Sequence, residues 1–136
     1  MTREAWLNFP VKDTARSKEF FRKIGFKINE ERSNSTMTGM SVGTKEVHVM
    51  LFEEKRFSEV VQNPVSDARS VTEIIVSFDV DSREEVEKVA KLVEEAGGNV
   101  FSKPEEIQGW MYGCAFTDPD GHRWNALYMD MSKMPK

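Results

Sequence analysis

The sequence predicts an α+β fold made of two βαβββ modules. Three observations carry this. An alternating apolar segment followed by a capped helical segment occurs once at the start of each half. Each half then continues as three short extended pieces separated by turns. The aspartates that close the two opening strands, Asp13 and Asp81, lie 68 residues apart in a chain of 136. Module 1 is placed at about 1–54, a linker at about 55–71, and module 2 at about 72–131. One module of this size buries both faces of a sheet poorly, whereas two curved sheets side by side bury more.

In module 1, Ala5 to Val11 alternates, with Leu7, Phe9 and Val11 on one side and Trp6, Asn8 and Pro10 on the other. That is strand periodicity. Asp13 or Thr14 then offers a side-chain oxygen to the free N–H groups of a helix start. Phe20, Phe21 and Ile24 follow at helical spacing, and Gly25 is suited to the positive φ that ends a helix. Extended pieces are expected at Phe26–Glu30, Thr36–Val42 and Val47–Phe52, separated by Ser33-Asn34-Ser35 and Gly43-Thr44-Lys45. The linker lacks clear periodicity and holds Pro64; a short helical piece is expected at Phe57–Val61.

Module 2 repeats the plan. Glu73 to Val80 alternates, with Ile74, Val76, Phe78 and Val80 on one face. Ser82-Arg83-Glu84-Glu85 reads as a capping box, in which the serine and glutamate side chains each satisfy a free backbone N–H. Val86, Val89, Val93 and Ala96 form the apolar stripe of a helix that Gly97-Gly98 ends. Asn99–Ser102 is expected to be extended. Strands at Trp110–Thr117 and Arg123–Met129 flank Asp118-Pro119-Asp120-Gly121, whose residue order suits a type I turn.

Composition narrows the function. Apolar residues make up 39% and charged residues 31%, the balance of a globular domain. No apolar run approaches the ~18 residues of a membrane helix. The net charge of −4 argues against nucleic acid, whose phosphates demand a basic face. A single cysteine, Cys114, forbids an internal disulfide, and the first residues lack the apolar run of a signal peptide. A cytoplasmic location is expected.

Three stretches then carry a family resemblance. The first is Asn8-Phe9-Pro10-Val11-Lys12-Asp13 with Ser17-Lys18-Glu19-Phe20-Phe21 and Ile24-Gly25-Phe26. The second is Phe116-Thr117-Asp118-Pro119-Asp120-Gly121-His122-Arg123-Trp124. The third is Gly109-Trp110-Met111-Tyr112-Gly113. Together they resemble the vicinal oxygen chelate superfamily of type I glyoxalases, bleomycin-resistance proteins and extradiol dioxygenases. The third stretch is similar to one in a bacterial branch named for lactoylglutathione lyases. The resemblance implies a curved, mainly antiparallel sheet around a cleft, and a homodimer. It also implies four cleft positions, one on the first and one on the last strand of each module, where His or Glu hold a divalent metal in enzymatic members.

Those positions fall at Trp6, near Met50, at Glu73 and at Asn125. An indole N–H only donates, a thioether suits hard cations poorly, and an amide oxygen is a weak neutral ligand. Glu73 alone is a strong candidate. The expected site is therefore a pocket without a metal, in which Trp6, Asn8, His48, Met50, Tyr112, Asn125 and Leu127 bind a small, partly aromatic or apolar molecule. Two alternatives stay open. One is a lyase or dioxygenase whose divalent metal is held by His48 and Glu73. The other is metal-free acid–base chemistry with Glu73 as the base, which needs a raised pKa. His122 is expected to face solvent, and Cys114 to be a small buried residue.

Overall fold

The structure is a computed structural model describing residues 1–136. It divides into two units, Met1–Val71 and Thr72–Lys136. Unit 1 runs β1 (Leu7–Val11), α1 (Thr14–Lys23), β2 (Lys27–Asn29), a 3₁₀ turn (Glu30–Arg32), β3 (Met37–Val42), β4 (Val47–Glu53) and α2 (Glu54–Val61). Unit 2 runs β5 (Ile75–Asp79), α3 (Arg83–Glu95), β6 (Asn99–Ile107), β7 (Met111–Thr117), β8 (Arg123–Met129) and a closing 3₁₀ turn (Met131–Lys133). Each unit thus contains the expected βαβββ order. Neither unit has a helix long and apolar enough to cross a membrane.

The two sheets share one topology, β1-β4-β3-β2 and β5-β8-β7-β6. In each, the first strand pairs in parallel with the last, and the other two pairings are antiparallel. Register assigns the faces, because residues directly opposite one another share a side. In sheet 1, Phe9 faces Leu51, which faces Thr38. This face carries the buried Phe9, Val11, Met40, Val49 and Leu51 and lies under α1, whose Ser17, Phe20 and Phe21 are buried. Thr38 Oγ1 donates to the Thr14 carbonyl at 3.4 Å and so fastens the helix to the sheet. Each fully buried Phe contributes about 1.5–3 kcal/mol, which outweighs the weak propensity of a ten-residue helix.

In sheet 2 the corresponding face carries Val76, Phe78, Cys114, Phe116, Trp124 and Ala126 under α3, where Val86, Val89, Ala90 and Val93 are buried. Both helices start as the chain chemistry directs. Asp13 accepts from the Arg16 N–H and Ser82 from the Glu85 N–H. The capping box is shifted by one residue: the Glu85 carboxylate accepts from the Asp81 N–H at 2.7 Å, not from Ser82.

Three expectations change. The helix in the linker begins at Glu54, earlier than Phe57, because it continues straight from β4 and packs on β1 and β4. Strand β5 begins at Ile75 rather than Glu73. Strand β6 runs through Ile107, five residues beyond the expected end, with Pro104 inside it. Pro104 is tolerated because β6 is the edge strand and the ladder shifts register between Val100 and Ser102 and again between Ser102 and Glu105.

Candidate functional site

Each sheet has a second face, turned away from its helix. In sheet 1 this face holds Asn8, His48 and Met50, as the sequence predicts. Asn8 lies directly opposite Met50, which lies opposite Gly39; His48 lies opposite Ser41, with its Nδ1 3.5 Å from Ser41 Oγ. Met50 is nonetheless only 8% exposed. The 3₁₀ turn folds across it: a Cβ at Gly39 would lie 2.9 Å from Arg32 Cβ and 3.2 Å from Met50 Sδ. Ser33 Oγ accepts from the Gly39 N–H at 3.1 Å and locks the turn down. Trp6 lies outside β1 and is 54% exposed, so it is not a strand residue of this face.

In sheet 2 the equivalent face holds Asn125 and Leu127. Asn125 sits between Ser77 on β5 and Ala115 on β7. Leu127 sits between Asp79 and Gly113, and its side chain folds over the glycine, where a Cβ would lie 2.5 Å from Leu127 Cδ2. Arg123, which the sequence reading passed over, shares this face opposite Ile75 and Thr117. Its guanidinium carbon lies 4.2 Å from the centroid of Phe101. Phe101 is the extra residue of the first β6 bulge. Two polar atoms here are buried without any partner: Asn125 Oδ1 and Arg123 Nε. The signal for Arg123 was available, since it precedes Asn125 by two residues in an alternating strand.

Tyr112 is a correction. It lies opposite Tyr128 on the helix side of sheet 2, not with Asn125. Its hydroxyl donates to Glu87 of α3 at 3.0 Å, its ring lies under Arg83, and Arg83 pairs with Glu106. That hydrogen bond to Glu87 holds the phenol above its usual range. Tyr112 thus ties α3 to β7.

Glu73 is exposed, in a bend two residues ahead of β5. The helix N-caps define the true repeat offset: Asp13 corresponds to Ser82, 69 residues on. Phe9 and Val11 then match Phe78 and Val80, and Trp6 matches Ile75 rather than Glu73. With Met50 matching Asn125, the four positions implied for metal ligands carry Trp6, Met50, Ile75 and Asn125. This donor set does not fit a divalent metal, since it offers one neutral amide oxygen and no anionic or imidazole ligand. Within neither unit do three His, Cys, Asp or Glu side chains come together.

The Asp118-Pro119-Asp120-Gly121 turn is structural. Asp118, 3% exposed, accepts from the Asp120 and His122 N–H groups at 3.0 Å through Oδ1, and from the Trp124 indole at 3.3 Å through Oδ2. Burial pushes its carboxyl above the usual range, opposed in part by the nearby His122. His122 is half-buried beside this carboxyl rather than facing solvent. Cys114 is buried, and desolvation pushes its thiol up to about 11.

A fold of paired βαβββ units with these faces defines a class, and sequence comparison gives its family. The chain belongs to the Glyoxalase/Bleomycin resistance protein/Dioxygenase superfamily, whose family model matches residues 4–126. Among solved structures it is similar to a hypothetical protein of S. aureus, with 37% identity, TM-score 0.84, and 94% of each chain covered. A family enzyme from Burkholderia phytofirmans PsJN has 19% identity and TM-score 0.80, covering 93% of this chain and 99% of that one. The fosfomycin resistance protein FosX from Listeria monocytogenes, solved with Mn(II) and sulfate, has 15% identity and TM-score 0.69, covering 95% and 91%. The last two likenesses are of fold. No match was found among curated proteins.

Proposed function

We propose that this chain binds a small, partly apolar or aromatic organic molecule through the helix-free face of sheet 2, without a bound metal. One observation carries the reading: Asn125, at a position the family fold gives to a metal ligand, keeps a buried amide oxygen with no partner. A buried acceptor left open costs about 1–3 kcal/mol, and a ligand N–H or O–H removes that cost on binding. Ser77, Ala115 and Leu127 around it supply small and apolar surface, the ordinary lining of a small-molecule site. The single buried cysteine suits a reducing compartment, so the cytoplasm is the proposed location. A homodimer belongs to the same proposal.

The test combines metal analysis with ligand screening. Chelator-treated, dialysed protein is expected to melt at the same temperature with or without Mg²⁺, Mn²⁺, Ni²⁺ or Fe²⁺, since only a native-state ligand raises stability by mass action. One tightly held ion per chain, lost in both His48→Ala and Glu73→Ala, would overturn the metal-free reading in favour of a lyase or dioxygenase. Thermal-shift screening of small aromatic and aliphatic compounds is expected to yield binders that Asn125→Leu abolishes.

A further inference from the structure

We infer that the ligand of the sheet 2 face is a small carboxylate with an apolar body and an N–H or O–H donor close to the carboxylate, read by Arg123 and Asn125. The inference rests on the binding reading above and names the ligand class for that site.

The two residues are i and i+2 on β8, so both side chains stand on one face, with Cα atoms roughly 7 Å apart at ~3.3 Å rise per residue. Their open groups are complementary in kind. Arg123 offers an N–H donor with a full positive charge; Asn125 offers an acceptor. A ligand that satisfies both carries an anionic acceptor at one end and a donor beside it. Arg123 is held by a ring, not by an acid: Phe101 lies against its guanidinium and no carboxylate pairs with it. A cation set in place by an aromatic face keeps its charge for an incoming anion, and partial burial strengthens that attraction.

The apolar surroundings point to the rest of the ligand. Ile75, opposite Arg123 in the ladder, and Phe101, under it, are 46% and 43% exposed. Both are apolar neighbours of the cation. A ligand whose carboxylate reaches Arg123 covers both with its body. The bulge at Phe101 is part of the arrangement. Val100 pairs with Phe116 on the helix side, so alternation brings Phe101 to the face of Arg123, and the bulge then sets Ser102 opposite Ala115 on that same face. A simple inorganic anion would satisfy Arg123 alone and leave Asn125 Oδ1 open.

The experiment uses N-acyl amino acids and 2-hydroxy acids with aromatic or branched side chains, each paired with its uncharged carboxamide. Binding to the full chain is measured calorimetrically at low and physiological salt. The acids are expected to bind at least tenfold more tightly than their amides, with the advantage reduced by salt. Arg123→Gln is expected to erase the difference between acid and amide, Arg123→Lys to retain part of it, and Asn125→Leu to abolish binding of both. In protein carrying ¹⁵Nε-labelled arginine, one Nε–H signal, absent from Arg123→Lys, is expected to shift on adding an acid. Circular dichroism and melting confirm that each variant folds. Equal binding of acids and amides, unchanged in Arg123→Gln, would overturn the carboxylate assignment and leave the binding reading standing. Binding of neither set would overturn both.

Discussion

Asn125, on β8, and Asp118, in the turn between β7 and β8, are polar side chains with opposite fates. Asp118 is satisfied three times over by the turn it organises, whereas Asn125 Oδ1 is left open. Their substitutions should therefore have opposite effects. Asn125→Leu removes the open acceptor and is expected to raise stability by about 1 kcal/mol while abolishing ligand binding; urea unfolding measures the first and calorimetry the second. Asp118→Asn keeps the shape but turns an NH₂ toward either the indole or the backbone donors, and is expected to cost about 1–3 kcal/mol. The raised carboxyl of Asp118 gives that cost a pH dependence. A carboxyl whose folded pKa lies above its unfolded 3.8 contributes stability that is full below 3.8 and lost as pH rises through the folded value. The advantage of the natural protein over Asp118→Asn is thus expected to be largest at the acid end and to shrink as the pH rises. Cys114, with its thiol near 11 and its side chain buried, is expected to resist iodoacetamide at pH 8 until the protein is unfolded. Rapid alkylation of the folded chain would contradict its placement under α3.

At the scale of elements, close approach decides what can be substituted. Gly113 has no room for a side chain: a Cβ would meet the Ala126 carbonyl oxygen at 2.8 Å as well as Leu127 and Ile107. Gly113→Ala is expected to destabilise by about 1–3 kcal/mol through overpacking, and to displace Leu127 from its position beside Asn125; thermal unfolding measures the loss. Much of this level was legible in the chain. The order of all eight strands, the two capped helices and the closing turn followed from period-2 and period-3.6 patterning with cap and turn residues. The end of β6 was not, because Lys103-Pro104-Glu105 reads as loop chemistry, and only an edge position with bulges makes it a strand. Strand parity alone places Tyr112 with Cys114 and Phe116 on the helix side, away from Asn125. The place of Glu73 was different. Alternation tells which residues share a face but not where a ladder begins, and the offset measured between aspartates missed the true one by a residue. Alternation with Asn125 is enough to give the face of Arg123, but an exposed-looking arginine after a turn gives no sign that a ring two strands away will hold it.

For the molecule as a whole, the chain repeats a topology without repeating its chemistry. Unit 1 closes its helix-free face with a 3₁₀ turn over Gly39 and Met50; unit 2 has Ser77, Ala115 and the open Asn125 at the matching row. The two halves have diverged, one covering its sheet and one keeping buried polar atoms without partners. Light scattering is expected to give twice the chain's 15.6 kDa; a monomer would remove the homodimer from the proposal. The bulged edge of sheet 2 bears on how such association ends. Along β6, two register breaks and Pro104 spoil the regular row of N–H and C=O groups that an added strand requires. Only β5 offers that sheet an uninterrupted border. A second copy adding a strand to sheet 2 would find a regular border only at β5, so the proline and bulges of β6 work against strand-by-strand growth into a filament.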